Sequence, residues 1–324
     1  MKKRVLYLLD RYPQLSETYI KVELEVLSER YDIRVVALNR ADLPYRNHVP
    51  FELFTDGERL TRIMREFRPD VLHTHYVTTQ PGVASVARAA GVPYTVRSHS
   101  FDAIRVGARL DIDSLCLGIL AFPFARGALQ DAGAPAAKII DCWPVIDYFR
   151  FHDESPNGDA VLNVGACLPK KRFEDFIELA TRMPQRTLDL YAIGYGIERI
   201  AELNARRGGR VSIHSAVQPE EMGAVYKAHG WLVYTACPKL ATVGWPMSVA
   251  EAQASGLGIC IPRLRADLEE FVGGAGYLYD SIEEVPGILA HPYPGEMRRR
   301  GFEHARKSDI REHAWKLTDL WDAS

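Results

Sequence analysis

A glycine followed by a short predicted helix is the segment of this sequence best suited to bind a phosphate. Gly244 precedes that helix, whose first turn contains four further residues, Trp245, Pro246, Met247 and Ser248. The free N–H groups and the positive dipole end of such a helix favour a diphosphate. Glu251, on the same helix, offers a carboxylate that can accept hydrogen bonds from both hydroxyls of a ribose. A solvent-facing glutamate is the alternative interpretation of Glu251.

Two other polar segments of the same half follow predicted strands. Gly194 and Gly196 lie between a strand and a helix, where a glycine backbone can approach a phosphate, although a tight turn without a ligand fits equally well. Lys171 and Arg172 follow another strand. A cation at the carboxyl end of a strand can bind a phosphate, and a solvated run of surface charge is the alternative.

In the first half, polar residues follow two more predicted strands. His99 and Asp102 lie just past one of them and are candidates to contact sugar hydroxyls or a phosphate; a buried structural histidine is the alternative. Ser16 and Glu17 precede a predicted helix and are natural capping residues. The helix start that they cap is expected at the ligand-binding edge of the sheet.

His73 and His75 are the residues that most suggest a metal site. We expect their side chains to face opposite sides of the sheet, so that they do not share an ion, and we assign them to packing at a strand end or to the lining of a cleft. The five cysteines contain no C-x-x-C pair. Their odd number and hydrophobic settings are typical of reduced thiols in a cytoplasm. No metal site is therefore predicted.

The amino-acid composition limits the classes to which the protein can belong. The chain has 324 residues, of which 47% are hydrophobic and 25% charged, with a formal net charge of -2. This is typical of a globular cytoplasmic protein of two domains, and it argues against nucleic acid as a partner. No run approaches the roughly 18 apolar residues of a spanning helix. A basic amphipathic segment, 59–68, could contact anionic lipid at the inner face of a membrane, and an ordinary surface helix is the alternative.

Short apolar runs alternate with helical patterns along the whole chain, which predicts parallel sheets with crossover helices. We expect an α/β protein with two Rossmann-like domains: a first domain over 1–151, a linker over 152–159 and a second domain over 160–295. A helical tail over 296–324 is expected to pack near the first domain or across to it. In such domains, ligands bind beyond the carboxyl ends of the strands.

The order of these segments resembles the family 4 retaining glycosyltransferases. Residues 12–20, YPQLSETYI, resemble the F-P-x-x-S-E-T-F-I opening of exopolysaccharide-type members, and residues 69–75, PDVLHTH, are similar to their P-D-[VI]-[IL]-H-x-H segment. His99 with Asp102 matches their H-x-x-D. The resemblance covers nearly the whole chain and implies the GT-B architecture, in which two Rossmann-like domains face a cleft.

In the second half, the resemblance assigns residues to a nucleotide-sugar site. Lys171 matches the lysine of V-G-R-L-x-P-x-K-G, whereas Ala166 replaces its arginine and Arg172 its final glycine. The G-x-G turn and the position that packs the nucleotide base fall on Gly194, Gly196 and Val217. Of the two glutamates that the family spaces seven residues apart, Glu251 matches the second, and Val243 stands in place of the first.

The resemblance implies transfer of a sugar from a nucleoside diphosphate sugar, with retention, to a hydroxyl of a glycan, a lipid-linked saccharide or a small molecule, as in polysaccharide biosynthesis. It implies no metal or other cofactor. Lys171 and the helix after Gly244 would bind the diphosphate, Glu251 the ribose and His99 the sugar. Because Val243 lacks a carboxylate, we expect an unusual donor or slow turnover. A noncatalytic nucleotide-sugar or glycan-binding protein and a nucleotide-sugar epimerase are the alternatives.

Overall fold

The computed structural model describes residues 2–99, 102, 109–237, 239 and 243–324. They form two compact units. Unit 1 comprises Met1–Val145 with Ile310–Ser324, and unit 2 comprises Ile146–Asp309. Each unit contains one parallel sheet with helical crossovers, so the predicted α/β class is confirmed.

Unit 1 is built on a seven-stranded sheet in the order β3-β2-β1-β4-β5-β6-β7. Val5–Leu9 are buried apolar residues in the centre of β1, as expected for a strand covered on both faces. Before the chain leaves the unit, its elements are β1 (Arg4–Tyr12), α1 (Thr18–Leu27), β2 (Asp32–Arg40), β3 (Phe51–Leu53), α2 (Gly57–Phe67), β4 (Val71–His75), α3 (Gln80–Ala90), β5 (Tyr94–Arg97), β6 (Cys116–Ala121), α4 (Arg126–Asp131) and β7 (Ile139–Asp141).

Unit 2 is built on a six-stranded sheet in the order β10-β9-β8-β11-β12-β13. Its elements are α5 (Tyr148–Phe151), β8 (Ala160–Ala166), α6 (Phe173–Arg182), β9 (Leu188–Ile193), α7 (Ile197–Arg206), β10 (Val211–His214), α8 (Met222–Lys227), β11 (His229–Val233), α9 (Met247–Ala254), β12 (Gly258–Pro262), α10 (Asp267–Val272), β13 (Tyr277–Tyr279), α11 (Val285–Leu289) and α12 (Gly295–Ala305). The chain then returns to unit 1 with α13 (Ile310–His313) and α14 (Trp315–Asp322).

In each sheet the strand order reverses once along the chain. The reversal lies between β1 and β4 in unit 1 and between β8 and β11 in unit 2. The crossovers on the two sides of such a point cover opposite faces of the sheet, which leaves a crevice at the carboxyl ends of the two strands. The loops that follow β8 and β11 therefore outline the expected ligand site of unit 2.

The prediction of a linker over 152–159 is wrong. The chain passes between the units at 145–146 and again at 309–310, and the whole predicted linker belongs to unit 2. Lys227 Nζ donates to the carbonyl oxygens of Asp153 and Ser155, at 3.1 and 2.6 Å. The Asn157 side chain donates to the His229 carbonyl at 3.0 Å. The segment is therefore joined to the rest of unit 2 by hydrogen bonds of its backbone and of the Asn157 side chain.

The basic helix α2 packs on the sheet of unit 1. Leu60 and Ile63 are buried in the hydrophobic core, and Arg59 pairs with Glu52 at 3.3 Å. The amphipathic pattern that suggested a lipid surface is thus explained by packing. Within the part of the chain that the structure describes, no helix is both long and apolar enough to cross a membrane.

The final helix α14 completes the core of unit 1. Trp321 is fully buried, its ring lies edge-on to Tyr7 and Tyr31 at centroid distances of 6.4 and 5.1 Å, and its Nε1 donates to Thr95 Oγ1 at 2.9 Å. Trp315, at the start of the same helix, is 55% exposed.

Removing the buried tryptophan should destabilise unit 1 much more than removing the exposed one. We expect Trp321→Ala to lower the free energy of unfolding by roughly 3–5 kcal/mol, because it leaves a large cavity. The matched control Trp315→Ala should cost less than about 1 kcal/mol. Urea unfolding followed by circular dichroism measures both, and equal losses would contradict the assignment of α14 to the core.

Candidate functional site

A lysine is held at the switch point of unit 2. Lys171 ends the 3-10 turn Pro169–Lys171 after β8. Its Nζ donates to the Tyr234 hydroxyl at 2.6 Å and lies 4.1 Å from the centroid of the same ring. Gly165 has φ +150, and a Cβ at that position would lie 3.4 Å from Lys171 Nζ. The ammonium group therefore packs against the backbone at Gly165.

A hydroxyl ties the loops after β8 and β11 together. Thr235 Oγ1 donates to the Lys171 carbonyl oxygen at 2.6 Å and accepts from the Asn163 side chain at 2.9 Å. Because Asn163 and Thr235 are buried, this connection is rigid and protected from water. It fixes the backbone that carries Lys171.

The ammonium group of Lys171 is desolvated. Burial, with a smaller contribution from Lys170, lowers the pKa of Lys171 to about 7. Among the residues that the structure describes, no carboxylate forms an ion pair with it. A bound anion would restore the charged form and gain a charge-assisted contact. Lys171 is thus suited to receive a phosphate.

Arg172 does not extend this cationic site. It adopts a left-handed backbone conformation with φ 49, and its guanidinium pairs with Asp175 at 2.5 Å on the first turn of α6. Ala166, at the end of β8, carries no charge.

The Gly194–Gly196 turn packs against the loop after β8. Gly194 has φ +105, a conformation that favours glycine. A Cβ at Gly196 would lie 2.8 Å from Cys167 Sγ, so a larger residue would push the two loops apart. Tyr195 between them is 90% exposed. Val217 lies past the end of β10 and is half-buried.

Side chains inside unit 2 hold the turn before α9 in place. Trp245 is buried; its Nε1 donates to Asp267 at 2.6 Å, and its ring stacks on Phe271. Arg265 pairs with Asp267 and donates to the Val243 carbonyl oxygen. The Trp245 side chain therefore holds the turn from inside the unit, and a ligand contact at this residue would be through its backbone.

The N-terminus of α9 carries no side-chain cap. Pro246 occupies the N-cap, and Gly244, Met247 and Ser248 are partly exposed. The first N–H groups of a helix have no partner within the helix. The start of α9 thus keeps the anion-binding character that the sequence predicts.

Glu251 faces α8, so the solvent-facing interpretation is wrong. The buried Tyr226 hydroxyl donates to Glu251 Oε2 at 2.6 Å. Burial raises the pKa of Glu251 to about 7, although Tyr226 and Arg150 act in the opposite direction. In the described residues, Oε1 makes no hydrogen bond, so it can accept from a ligand hydroxyl.

In unit 1, Asp102 supports His99. The carboxylate of Asp102 is fully buried and accepts from the backbone N–H groups of Val77 and His99, at 2.6 and 2.7 Å. His99 lies against Tyr19 and Tyr76, with ring centroids at 4.3 and 4.7 Å. Burial holds the pKa of His99 well below its usual value, so the ring is neutral. Asp102 therefore contacts protein groups with both oxygens.

The expectation that His73 and His75 face opposite sides of the sheet is wrong. Residues two apart on a strand share a face, and the Nε2 atoms of both rings lie 3.2 Å from Oε1 of the buried Glu23. Glu23 and the two histidines could place three ligand atoms around an ion. Arg97, however, already pairs with Glu23 Oε2 at 2.5 Å and opposes a second cation.

The predicted capping by Ser16 and Glu17 is also wrong. Helix α1 has Glu17 at its N-cap without a side-chain capping bond, and Ser16 is exposed. Glu17 Oε1 accepts from the Tyr76 hydroxyl at 2.7 Å, and burial raises the pKa of Glu17 to about 7. The sequence did not indicate this raised pKa, because Tyr76, which binds Glu17, is distant in the sequence.

Comparison with known proteins shows which folds the chain resembles. Residues 10–137 match the glycosyl transferase 4-like domain. No curated protein matches the chain. The structure of Alr3699/HepE from Anabaena with UDP and glucose has a TM-score of 0.78 at 14% identity and covers 100% of both chains. Sucrose-phosphate synthase from Thermosynechococcus elongatus has a TM-score of 0.73 at 12% identity and covers 99% of each chain. The fold is that of GT-B glycosyltransferases.

Replacing Glu251 by glutamine should stabilise the ligand-free protein in a pH-dependent way. Burial raises the pKa of Glu251 to about 7, and its value in an unfolded chain is about 4.3. The folded state binds this proton more tightly, so the wild type loses stability as pH rises between these two values. We expect Glu251→Gln to raise the midpoint of thermal unfolding at about pH 8 and to have no effect near pH 4.

The exposed Glu66 provides the control for this measurement. Glu66→Gln should leave the midpoint unchanged at both pH values. A lower midpoint for Glu251→Gln at about pH 8 would contradict the desolvation of Glu251.

Proposed function

We propose that this protein is a glycosyltransferase that binds a nucleoside diphosphate sugar in unit 2 and transfers the sugar, with retention, to a hydroxyl. The observation that carries the proposal is the desolvated ammonium group of Lys171 at the switch point, which no carboxylate pairs in the described part of the chain. A buried cation of this kind is costly unless a ligand provides the counter-charge.

The surrounding groups fit the parts of such a donor. Lys171 and the uncapped start of α9 would bind the diphosphate, and Glu251 Oε1 would accept from the ribose hydroxyls. Gly194 and Gly196 would let the backbone approach the ligand, and Val217 would pack on the base. The neutral ring of His99 would contact a sugar hydroxyl. The Anabaena protein has been crystallised with UDP and with UDP-glucose, so uridine donors are the first to test.

The chemical step in this proposal needs few protein groups. The acceptor oxygen attacks the anomeric carbon on the side of the leaving diphosphate, whose oxygens take the acceptor's proton. Lys171 and the N–H groups of α9 stabilise the charge that develops as the carbon–oxygen bond to the diphosphate breaks. Positioning of donor and acceptor supplies the rest of the rate enhancement. The proposal requires no metal ion.

A noncatalytic nucleotide-sugar-binding protein is the second candidate, and Val243 favours it. The Val243 side chain is 3% exposed, and its carbonyl oxygen is bound by Arg265. This position therefore offers no side-chain hydrogen bond to a donor sugar. Release of UDP from UDP-glucose, measured with and without glycan acceptors, separates the candidates: binding without release identifies a binder, and conversion of the sugar without acceptor identifies an epimerase.

Loss of the Lys171 ammonium should weaken binding of the diphosphate selectively. We expect Lys171→Met to raise the Kd for UDP by about tenfold or more, because a charge-assisted contact is lost. Affinity for uridine, which lacks the diphosphate, should not change. Lys170→Met is the matched control and should change the Kd for UDP by less than about threefold, since its charge acts at longer range. Isothermal titration calorimetry measures the Kd of each ligand for the wild type and the variants, and equal effects of the two variants on the Kd for UDP would contradict the proposed role.

Affinity for UDP should be greatest near neutral pH. Glu251 binds hydroxyls best when ionised, which requires a pH above its pKa of about 7, and Lys171 binds the diphosphate when protonated, which requires a pH below its pKa of about 7. We expect Glu251→Gln to reduce the fall on the acid side and Lys171→Met to reduce the fall on the alkaline side. The acid limb that remains in Glu251→Gln measures protonation of UDP itself. Unchanged limbs in both variants would contradict the assignment.

A further inference from the structure

Four groups of unit 1 converge on the buried carboxylate of Glu23. Oε1 accepts from the Tyr7 hydroxyl at 3.0 Å and from His75 Nε2 at 3.2 Å. Oε2 accepts from Arg97 Nε at 2.7 Å. His73 Nε2 is also 3.2 Å from Oε1, but the angle between the two groups does not allow a hydrogen bond. All these residues are 3% exposed or less.

The position of each proton in this cluster follows from its neighbours. Although burial acts in the opposite direction, Arg97 and His75 hold the pKa of Glu23 well below its usual range, so Glu23 is ionised and only accepts. His75 Nε2 must therefore donate to Glu23. Burial lowers the pKa of His75 to about 4, so its ring is neutral and its Nδ1 is an acceptor. His99 Nε2, at 3.1 Å from that Nδ1, must then be the donor.

An independent chain of contacts confirms that the assignment is consistent. Trp321 Nε1 can only donate, so Thr95 Oγ1 accepts from it at 2.9 Å and donates its own proton to His73 Nδ1 at 2.8 Å. This places the His73 proton on Nε2, toward Glu23. In this assignment the nitrogen atoms of His73 and His75 that face Glu23 both carry protons, so neither offers a lone pair to a metal ion there.

We propose that Glu23 and His75 are positioning residues that hold His99 in the Nε2–H tautomer, so that His99 Nδ1 accepts a hydrogen bond from a sugar hydroxyl. Within the described residues, His99 Nδ1 has no hydrogen-bond partner, and the ring is partly exposed. A neutral acceptor repels a phosphate oxygen, so this site selects a hydroxyl over a phosphate. The identity of the ligand rests on the proposed function, whereas the tautomer does not.

Histidine tautomers can be read directly by NMR in the ligand-free protein. Long-range proton–nitrogen correlation spectra of protein labelled with ¹⁵N-histidine distinguish Nδ1–H, Nε2–H and imidazolium rings. We expect His99 to be the Nε2–H tautomer at neutral pH. An Nδ1–H or imidazolium form of His99 in the wild type would overturn the proposal, whatever the enzyme's activity.

Three variants separate positioning from packing. His75→Leu removes the acceptor for His99 and should give a mixture of His99 tautomers. His73→Leu is the matched control: it removes an equally buried histidine, two residues away on β4, that has the same 3.2 Å distance to Glu23 and does not contact His99. It should leave the His99 tautomer unchanged. His75→Asn places an amide oxygen near the Nδ1 position and should restore the Nε2–H form.

Binding gives the functional readout. We expect His75→Leu to reduce the affinity for UDP-glucose by about tenfold. The affinity for UDP should change by less than about twofold, because UDP lacks the glucose whose hydroxyl would bind His99. His75→Asn should recover most of the loss, and His73→Leu should show none. Equal losses for UDP and UDP-glucose, or an unchanged His99 tautomer in His75→Leu, would overturn the proposal. Failure of the wild type to bind UDP would instead refute the proposed function and leave the tautomer result standing.

Discussion

Parallel pairing of every strand is the constraint on which both units depend. Neighbouring parallel strands need a crossover between them, so all the carboxyl ends of a sheet come to one edge. In unit 2 this places the loops after β8 and β11 side by side at the reversal of strand order. Lys171 and Tyr234 come from these two loops and meet because of it. The chemistry of the site is therefore a product of topology, because pairing of β8 with β11 brings together two residues that are 63 positions apart in the sequence.

The site is also maintained at a cost in stability. Lys171 and Glu251 are desolvated, which lowers the pKa of Lys171 and raises the pKa of Glu251, so that the neutral form of each group is favoured. Neither group strengthens the ligand-free fold, because burial of an ionisable group without a counter-charge is unfavourable. Glu23 differs, since Arg97 neutralises it and three hydrogen-bond donors surround it. At Lys171 no such partner is present in the described part of the chain, and the proposed diphosphate would supply the counter-charge.

The sequence pattern predicted the elements that carry long amphipathic or apolar runs. Helical patterns run in the sequence over Thr18–Leu27, Phe173–Arg182 and Ile197–Arg206, and the structure has helices with these same bounds. The pattern does not indicate the strands β3, β7 and β13, because each has only three residues and no alternation can be read from so short a segment.

The candidate site could be predicted only in part, because some of its contacts join residues that are distant in the sequence. The positions of Gly194, Gly196 and the start of α9 follow from local rules about turns and helix ends. The partners of Lys171 and Glu251, Tyr234 and Tyr226, are aromatic residues without any motif. His73 and His75 were misjudged by an error in the period of a strand, and the linker by its composition alone. The candidate residues could be identified from the sequence. Their desolvation, which shifts their pKa values, could not, because it arises only when the chain is packed.

The passage of the chain through unit 2 and back has a consequence for synthesis. Unit 2 is one continuous segment and has all its residues as soon as Asp309 has left the ribosome. Unit 1 lacks the helix that carries Trp321, whose ring is buried in its core, until residues 315–322 have also been synthesised. An N-terminal part usually folds before the parts that follow it, whereas the core of unit 1 can be completed only after all of unit 2 has been synthesised. We therefore expect a growing chain to leave the apolar residues around Trp321 uncovered until that point.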